Sequence, residues 1–442
     1  MSELRRELGV FSASLLVVGG IIGSGIFFTP AETARALPTS GWVLAVWTLG
    51  GVVALAGALT YAELGAMMPE AGGGYVYVRE AFGKLPAFLL GWMTLLMIAS
   101  GAIAAVAMGF AGYLERFVPI DAVGGKIGVA AITIIVLTIT NYLGVKPGTV
   151  TANIFTISKI AALTALIVIG LALNSGAPPV VVAPPVAPPL ASGVAAAFVA
   201  VLFTIGGWQQ TNMVAGEIRD PGRTLPKALA VGIGIVIAVY LGANIVYLKT
   251  LGRDGLAAST AVAADTAGLL IGPAGATAIT VAAMLSIFGF VNVALLTNAR
   301  VLYALGQDGA FLPGAGKVHP RFGSPHVALV MLGGWSLVLL IATRGTIGTL
   351  LSGVVFADWI FFGLGAASVF VLRRTRPELH RPYRVLGYPW LPAFFVLSAV
   401  VGIIAAYVSA LSMSLVGTAM LAAGIALYKW RSTAIATKSS AR

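Results

Sequence analysis

The chain has 442 residues, 59% of them hydrophobic and only 10% charged, with a mean hydropathy of +0.98. A soluble globular domain carries about a quarter charged residues, so this composition excludes a water-solvated globule and points to lipid as the main solvent. The formal net charge is +12 and cysteine is absent, which removes thiol chemistry and any disulfide framework.

Apolar runs near the ~20 residues that cross a bilayer as helix recur along the chain. Twelve are predicted, at 10–36, 41–67, 85–114, 126–142, 149–173, 193–216, 226–250, 274–304, 326–343, 346–372, 390–409 and 411–430. They do not alternate apolar and polar residues as barrel strands do, so the fold class is all-α and membrane-embedded. The head, "MSELRREL", is short and polar, and the run behind it outlasts a signal core, so no cleaved signal is expected. With the amino terminus inside, 20 of the 27 basic residues share one side of the membrane. Arg35, Arg116, Lys126, Lys249, Arg253 and Arg344 fall on the other, and Lys159 lies within a run. This is the positive-inside asymmetry. It predicts a multi-pass plasma-membrane protein with both termini cytoplasmic, and it accounts for the basic charge without nucleic acid.

The first run contains "VVGGIIGSGIFFTP" (Val17 to Pro30), with Gly19, Gly20, Gly23 and Gly25 in seven positions. Glycine is a poor helix former, and unpaired backbone amides are costly in hydrocarbon. A face of small residues, Gly19-xxx-Gly23, also suits close helix packing. The proline-rich "APPVVVAPPVAPPL" (Ala177 to Leu190) reads as an external loop dividing two blocks of five runs. The second block opens on another glycine interruption, "FTIGGWQQTN" (Phe203 to Asn212). Paired interruptions at matching places of two halves point to an inverted-repeat transporter with its substrate at the breaks. An odd number of runs per half makes the halves opposite in orientation. The prediction is one transmembrane domain with halves at about 10–173 and 193–372, and extra helices over about 390–430.

Unwinding at Gly23, Ser24 and Gly25 aims backbone amides, at the positive end of the outer half-helix, at a carboxylate. Carbonyls near Ile21 and Ile22, and near Phe203 and Gly206, are acceptors for an ammonium group. Such a site suits the zwitterionic head of an α-amino acid.

The stretches "GGIIGSGIFFTP", "YAELGAMMPEAGGGYVYVREAFG", "FTIGGWQQTNMVAGEIRDPGRTLPKAL", "NARVLYALGQDGAFLPGAGKVHPRFGSPHVAL" and "RPELHRPYRV" resemble, in order and spacing, the amino acid–polyamine–organocation superfamily. The resemblance is to its L-type amino acid transporter branch and covers nearly the whole chain. It implies a LeuT-type fold with broken helices one and six, alternating access and sodium-independent amino acid transport. By motif, Ser24 and Gly25 would take the carboxylate through their amides, and Ile21, Phe203 and Gly206 the amine through their carbonyls.

Lys159, in "NIFTISKIAALTAL", lies about ten residues into the fifth run, ~15 Å deep at helical rise, awkward for snorkelling. The resemblance implies that this lysine occupies the place of the sodium ion of sodium-coupled relatives and holds the inner gate; proton coupling is a second role open to it. Asp358, in "VVFADWIFF", is either a carboxylate hydrogen-bonded in the bundle or a proton- or substrate-binding group. The L-type pattern has a neutral amide there, so Asp358 is a departure. Glu63 and Glu217 read as gate or loop anchors. Trp208 is either core or a lid over substrate, and Gln209 and Gln210 bring neutral amides beside the second break. Met97, Ile98, Phe288, Phe290 and Asn292 are predicted wall residues. With Asp358 the one charge near the substrate side chain, a neutral amino acid is expected.

His319, His326 and His380 show no ligand spacing, and no HExxH, phosphate loop or serine elbow occurs. An enzyme, a metal site and a cofactor are therefore not expected. A channel would want a repeated filter motif, and a non-transporting amino acid sensor an output domain or long tail. The loop "LERFVPIDAVGGK" has no cysteine for a disulfide to a glycoprotein heavy chain, so the chain is expected to work alone. Exchange, uniport and proton symport all remain open to these residues.

Overall fold

In a computed structural model of the chain the first apolar run is two helices, not one. Helix α1 (Val10–Ile21) ends where the Gly23 amide turns to the Ile21 carbonyl at 2.8 Å, and α2 (Gly25–Ala36) resumes after a 44° bend. The structure describes residues 8–70, 72–143, 149–173, 188–309 and 311–440; the side chains of 149–155, 217, 313, 347–349, 351–352 and 432–440 are outside the description. Arg5, Arg6, Lys146, Arg442, the Glu217 and Lys438 side chains and most of the proline-rich loop therefore lie outside the described residues.

The bundle continues with α3 (Ser40–Met67), a short α4 (Gly74–Phe82), α5 (Lys84–Met93), and α6 (Ala99–Leu114). A π-helical turn, Thr94–Ile98, joins α5 to α6; such turns often mark functional positions. Then come α7 (Gly125–Tyr142), α8 (Thr149–Ala172), α9 (Leu190–Thr204) and a one-turn α10 (Gln210–Met213). Helix α11 (Pro221–Ala258) kinks at Gly252, and α12 (Val262–Gln307) kinks at Ile271 and Gly272, beside Pro273. Helices α13 (His326–Ala342), α14 (Ile347–Thr375), α15 (Trp390–Ser409) and α16 (Leu411–Ser440) complete it. Apart from a bridge between Leu8 and Ile218, the described residues hold no strand.

Among the described residues eight helical spans are long and apolar enough to cross a membrane, and the bent pair α1–α2 makes a ninth. The runs at 149–173, 193–216 and 326–343 carry shorter apolar helices, Thr156–Ala172, Leu190–Thr204 and His326–Ala342. The run at 193–216 is the one that the structure shortens: its helix stops at Thr204, and α10 follows only after a break. The seventh and eighth runs are longer than predicted. Their connection folds as helix on both sides of Ser259, because Arg35 on α2 holds the Ala257 carbonyl at 2.6 Å and the Ser259 carbonyl at 2.9 Å.

Helix α1 packs between α8 and α11, and α3 lies along α11. Small residues set those distances. A Cβ on Gly19 would stand 2.8 Å from Thr156 Oγ1 on α8, and one on Gly232 would stand 2.6 Å from Val17 on α1. The packing reading of the Gly19 face is therefore correct as far as α8 is concerned.

Candidate functional site

The second break spans Ile205 to Gln209, between α9 and α10. Gly207 has φ +105, a backbone region that glycine adopts at no steric cost. A Cβ on it would stand 2.1 Å from the Gly20 carbonyl oxygen. The two breaks therefore meet backbone to backbone, which only glycine permits.

Each broken end leaves groups that an intact helix would pair. Among the described residues the Ser24, Gly25 and Ile26 amides have no hydrogen-bond partner, and neither does the buried Ser24 hydroxyl. They form a donor set at the start of α2, on the positive end of its dipole. The carbonyls on the other side of the break are mostly in use. Ile21 accepts the Tyr240 hydroxyl at 3.1 Å besides the Gly23 amide. Ile22 accepts Lys159 Nζ at 2.5 Å and Ser286 Oγ at 3.1 Å. Lys159 Nζ also reaches the Gly19 carbonyl at 3.1 Å, and the side chain is 5% exposed. Ile21 and Ile22 thus have no lone pair left for a substrate ammonium. The Phe203 carbonyl takes the Gly206 amide, at 3.2 Å, with the Ile205 amide also turned toward it, and the Gly206 carbonyl takes no hydrogen bond among the described residues.

Between the breaks lies a cavity of about 60 Å³. Ile21, Gly23, Ser24 and Gly25 line it from the first break, and Phe203, Gly206, Gly207, Gln209 and Gln210 from the second. Ile98 follows from the π-turn, Phe290 from α12 and Asp358 from α14. Phe290 owes its place to Gly23, where a Cβ would stand 2.9 Å from its ring. Beyond Phe203, which lines both spaces, a vestibule of about 770 Å³ opens at the end of the bundle that carries Arg35, Arg116 and Lys126.

Several predicted wall residues point elsewhere. Met97 packs toward Gly353 and Gly417, on α14 and α16. Phe288 pairs with Phe110 at 5.9 Å between ring centroids. Asn292 accepts from the Asn141 amide of α7 at 2.7 Å. Ile22 turns its side chain into the core and contributes its carbonyl to Lys159. Of the two readings of Trp208, the structure favours core. It is 2% exposed, packs on Tyr61, Phe362 and Phe395, and is not among the residues that line the cavity. Trp208 and Gln209 are neighbours within the break, and sequence spacing does not say which faces the cavity. Sequence reasoning also missed Tyr240 and Ser286, whose hydroxyls hold the broken end. Their one signal was a hydrogen-bonding group deep in an apolar run.

The opposite end of the bundle is closed by charge pairs. Glu63 is 1% exposed and receives Arg373 at 2.9 and 2.6 Å and the Val385 amide at 2.7 Å, so it anchors the α14–α15 connection to α3. Asp308 binds Arg79 at 2.9 Å and the Tyr75 hydroxyl at 2.6 Å. Burial pushes the Tyr75 phenol up, and its hydrogen bond to Asp308 adds to the shift.

Two backbone breaks in contact, with unpaired amides and a lysine both at the first and a carbonyl left open at the second, suit a carrier of zwitterions, and comparison with known proteins gives the family. The amino acid permease family matches residues 8–428. The chain belongs to that family. It is 32% identical over 399 residues to the human b(0,+)-type amino acid transporter 1, covering 87% of this chain and 79% of that protein. It is 34% identical over 390 residues to the mouse large neutral amino acids transporter small subunit 2, covering 86% and 73%. The human counterpart of the latter is 33% identical over the same length. These relatives are amino acid transporters, as the resemblance implied.

Proposed function

We propose that this chain carries neutral L-amino acids across the plasma membrane without sodium, by alternating access and in exchange for another amino acid. Both termini lie in the cytoplasm, and residues 10–173 and 193–372 form inverted halves of a LeuT-type fold. The substrate carboxylate sits on the Ser24, Gly25 and Ile26 amides, and its ammonium on the Phe203 and Gly206 carbonyls. The observation that carries this reading is Lys159. Its ammonium stands on the Ile22 and Gly19 carbonyls at 2.5 and 3.1 Å, where a sodium-coupled carrier would need a metal cation. A fixed cation makes sodium dispensable and ties α8 to the break. The relatives named for large neutral amino acids support the substrate class. With no cysteine in the chain, no disulfide can join it to a heavy chain, and it works alone.

Counterflow in liposomes containing the purified protein tests this. Labelled neutral amino acids should accumulate only in vesicles preloaded with an unlabelled one, with no ion gradient. Equal uptake into empty vesicles would make the protein a uniporter. Uptake that needs an imposed pH gradient would favour the second reading, a proton-coupled symporter, which rests on Asp358 lining the cavity without a partner among the described residues.

A further inference from the structure

Of the described side chains around the small cavity, Asp358 alone is ionisable. It has no hydrogen bond and no ion pair among the described residues. The elements packed against α14 bring it no compensating charge. From α3 comes Tyr61, whose hydroxyl is turned to the Phe361 and Phe362 carbonyls at 3.4 and 3.3 Å. The break between α9 and α10 supplies the neutral Gln209 and Gln210, while Asn298 stands on α12 and the π-turn and α6 line the cavity with apolar groups. Glu63, Arg79 and Glu80 also face α14, from α3 and α4, but Glu63 and Glu80 pair with Arg373 and Arg376 near the far end of that helix, ~22 Å from Asp358 at helical rise. Lys159 is absent from the cavity wall, and its charge is held by the Gly19 and Ile22 carbonyls.

An amino acid head adds one charge of each sign, and the two breaks offer a place for each. Closing the cavity around it would leave the Asp358 carboxylate buried and uncompensated, which a protein tolerates poorly. Building on the transport reading above, we propose that Asp358 is a cation subsite of the substrate cavity. It takes the side-chain ammonium of a short diamino acid; with a neutral amino acid it takes a proton that travels in the same step. The loaded cavity then has the same net charge with either substrate. The cavity is small, so the diamino acid chosen to probe it is one with a short side chain, 2,4-diaminobutyrate. Norvaline is its neutral isostere, a methyl replacing the ammonium.

The test is exchange of external labelled 2,4-diaminobutyrate for internal norvaline in liposomes, read with a pH-sensitive dye and with potassium-diffusion potentials. The wild-type protein should release one proton with each norvaline that leaves, and the rate should ignore the membrane potential, because one positive charge moves each way. In Asp358→Asn the proton signal should vanish, and the entry ratio of 2,4-diaminobutyrate to norvaline should fall at least about tenfold. Diaminobutyrate entering without proton release, or an unchanged ratio in the variant, overturns the subsite. Norvaline self-exchange in a wild-type protein that takes up no 2,4-diaminobutyrate removes the subsite and leaves the transport reading standing. No norvaline exchange with norvaline or any other amino acid removes both.

Discussion

The Lys159 ammonium lies 2.5 Å from the Ile22 carbonyl, and 3.1 Å from that of Gly19, so one side chain of α8 holds two acceptors freed by the break in the first helix. Gly19 would pair with the Gly23 amide in an unbroken helix; that amide instead turns back to Ile21. The lysine and the break thus require each other. A buried ammonium needs carbonyls, and freed carbonyls need a donor.

Lys159→Ala should abolish counterflow. Removing the ammonium leaves the Gly19 carbonyl without a donor and Ile22 with Ser286 alone, at about 1–3 kcal/mol per orphaned group. The expected result is lost uptake with a lowered unfolding temperature. A variant with wild-type rate and pH dependence would reduce Lys159 to a structural residue.

Gly25→Val acts on the donor side. A Cβ at Gly25 would stand 2.5 Å from Thr204 Cγ2, on the helix that leads into the second break. Thr204 is itself held by Thr29 at 2.7 Å and has little room to yield. Transport should be lost while the protein still elutes as a folded species on size exclusion. Normal uptake would remove the Gly25 amide from the site.

Gly207→Ala should damage folding rather than transport alone. It combines strain at φ +105 with a Cβ 2.1 Å from the Gly20 oxygen. The cost should exceed the ~1–3 kcal/mol of ordinary overpacking, because the obstacle is backbone. Thermal unfolding in detergent reads it directly, and an unshifted transition would show that the breaks can part without penalty.

Arg373→Ala leaves Glu63 buried with the Val385 amide at 2.7 Å and Arg381 at 3.7 Å. Breaking a buried pair from one side costs about 3–5 kcal/mol. The double variant Glu63→Gln with Arg373→Met should recover much of the lost unfolding temperature. Equal losses in the single and double variants would mean that packing, not charge, holds this end.

Several features of the site were visible along the chain because they are local. Gly23–Ser24–Gly25 and Gly206–Gly207 break helices through their own backbone preference, and Lys159 stands out in an apolar run wherever it points. The wall was less legible. Phe290 and Phe288 are two residues apart on one helix, yet one faces Gly23 and the other Phe110. Asn292 looks like a site amide until Asn141 on another helix is seen to hold it. Nothing local distinguishes these outcomes, because each depends on the neighbour the bundle supplies.

The sequence by itself determined that the chain lives in lipid, where its helices lie, where two of them must break, and which charges stand in the apolar interior. These follow from hydrophobic run length, glycine's backbone freedom and the rarity of ions in hydrocarbon. Only the tertiary structure decided what each freed group meets. It pressed Gly207 onto Gly20, engaged the Ile21 and Ile22 carbonyls with Tyr240 and Lys159, turned Trp208 into the core, and left Asp358 facing the cavity with no partner among the described residues. Hydrogen bonds and close contacts are made between helices far apart in sequence, and their partners are chosen by packing.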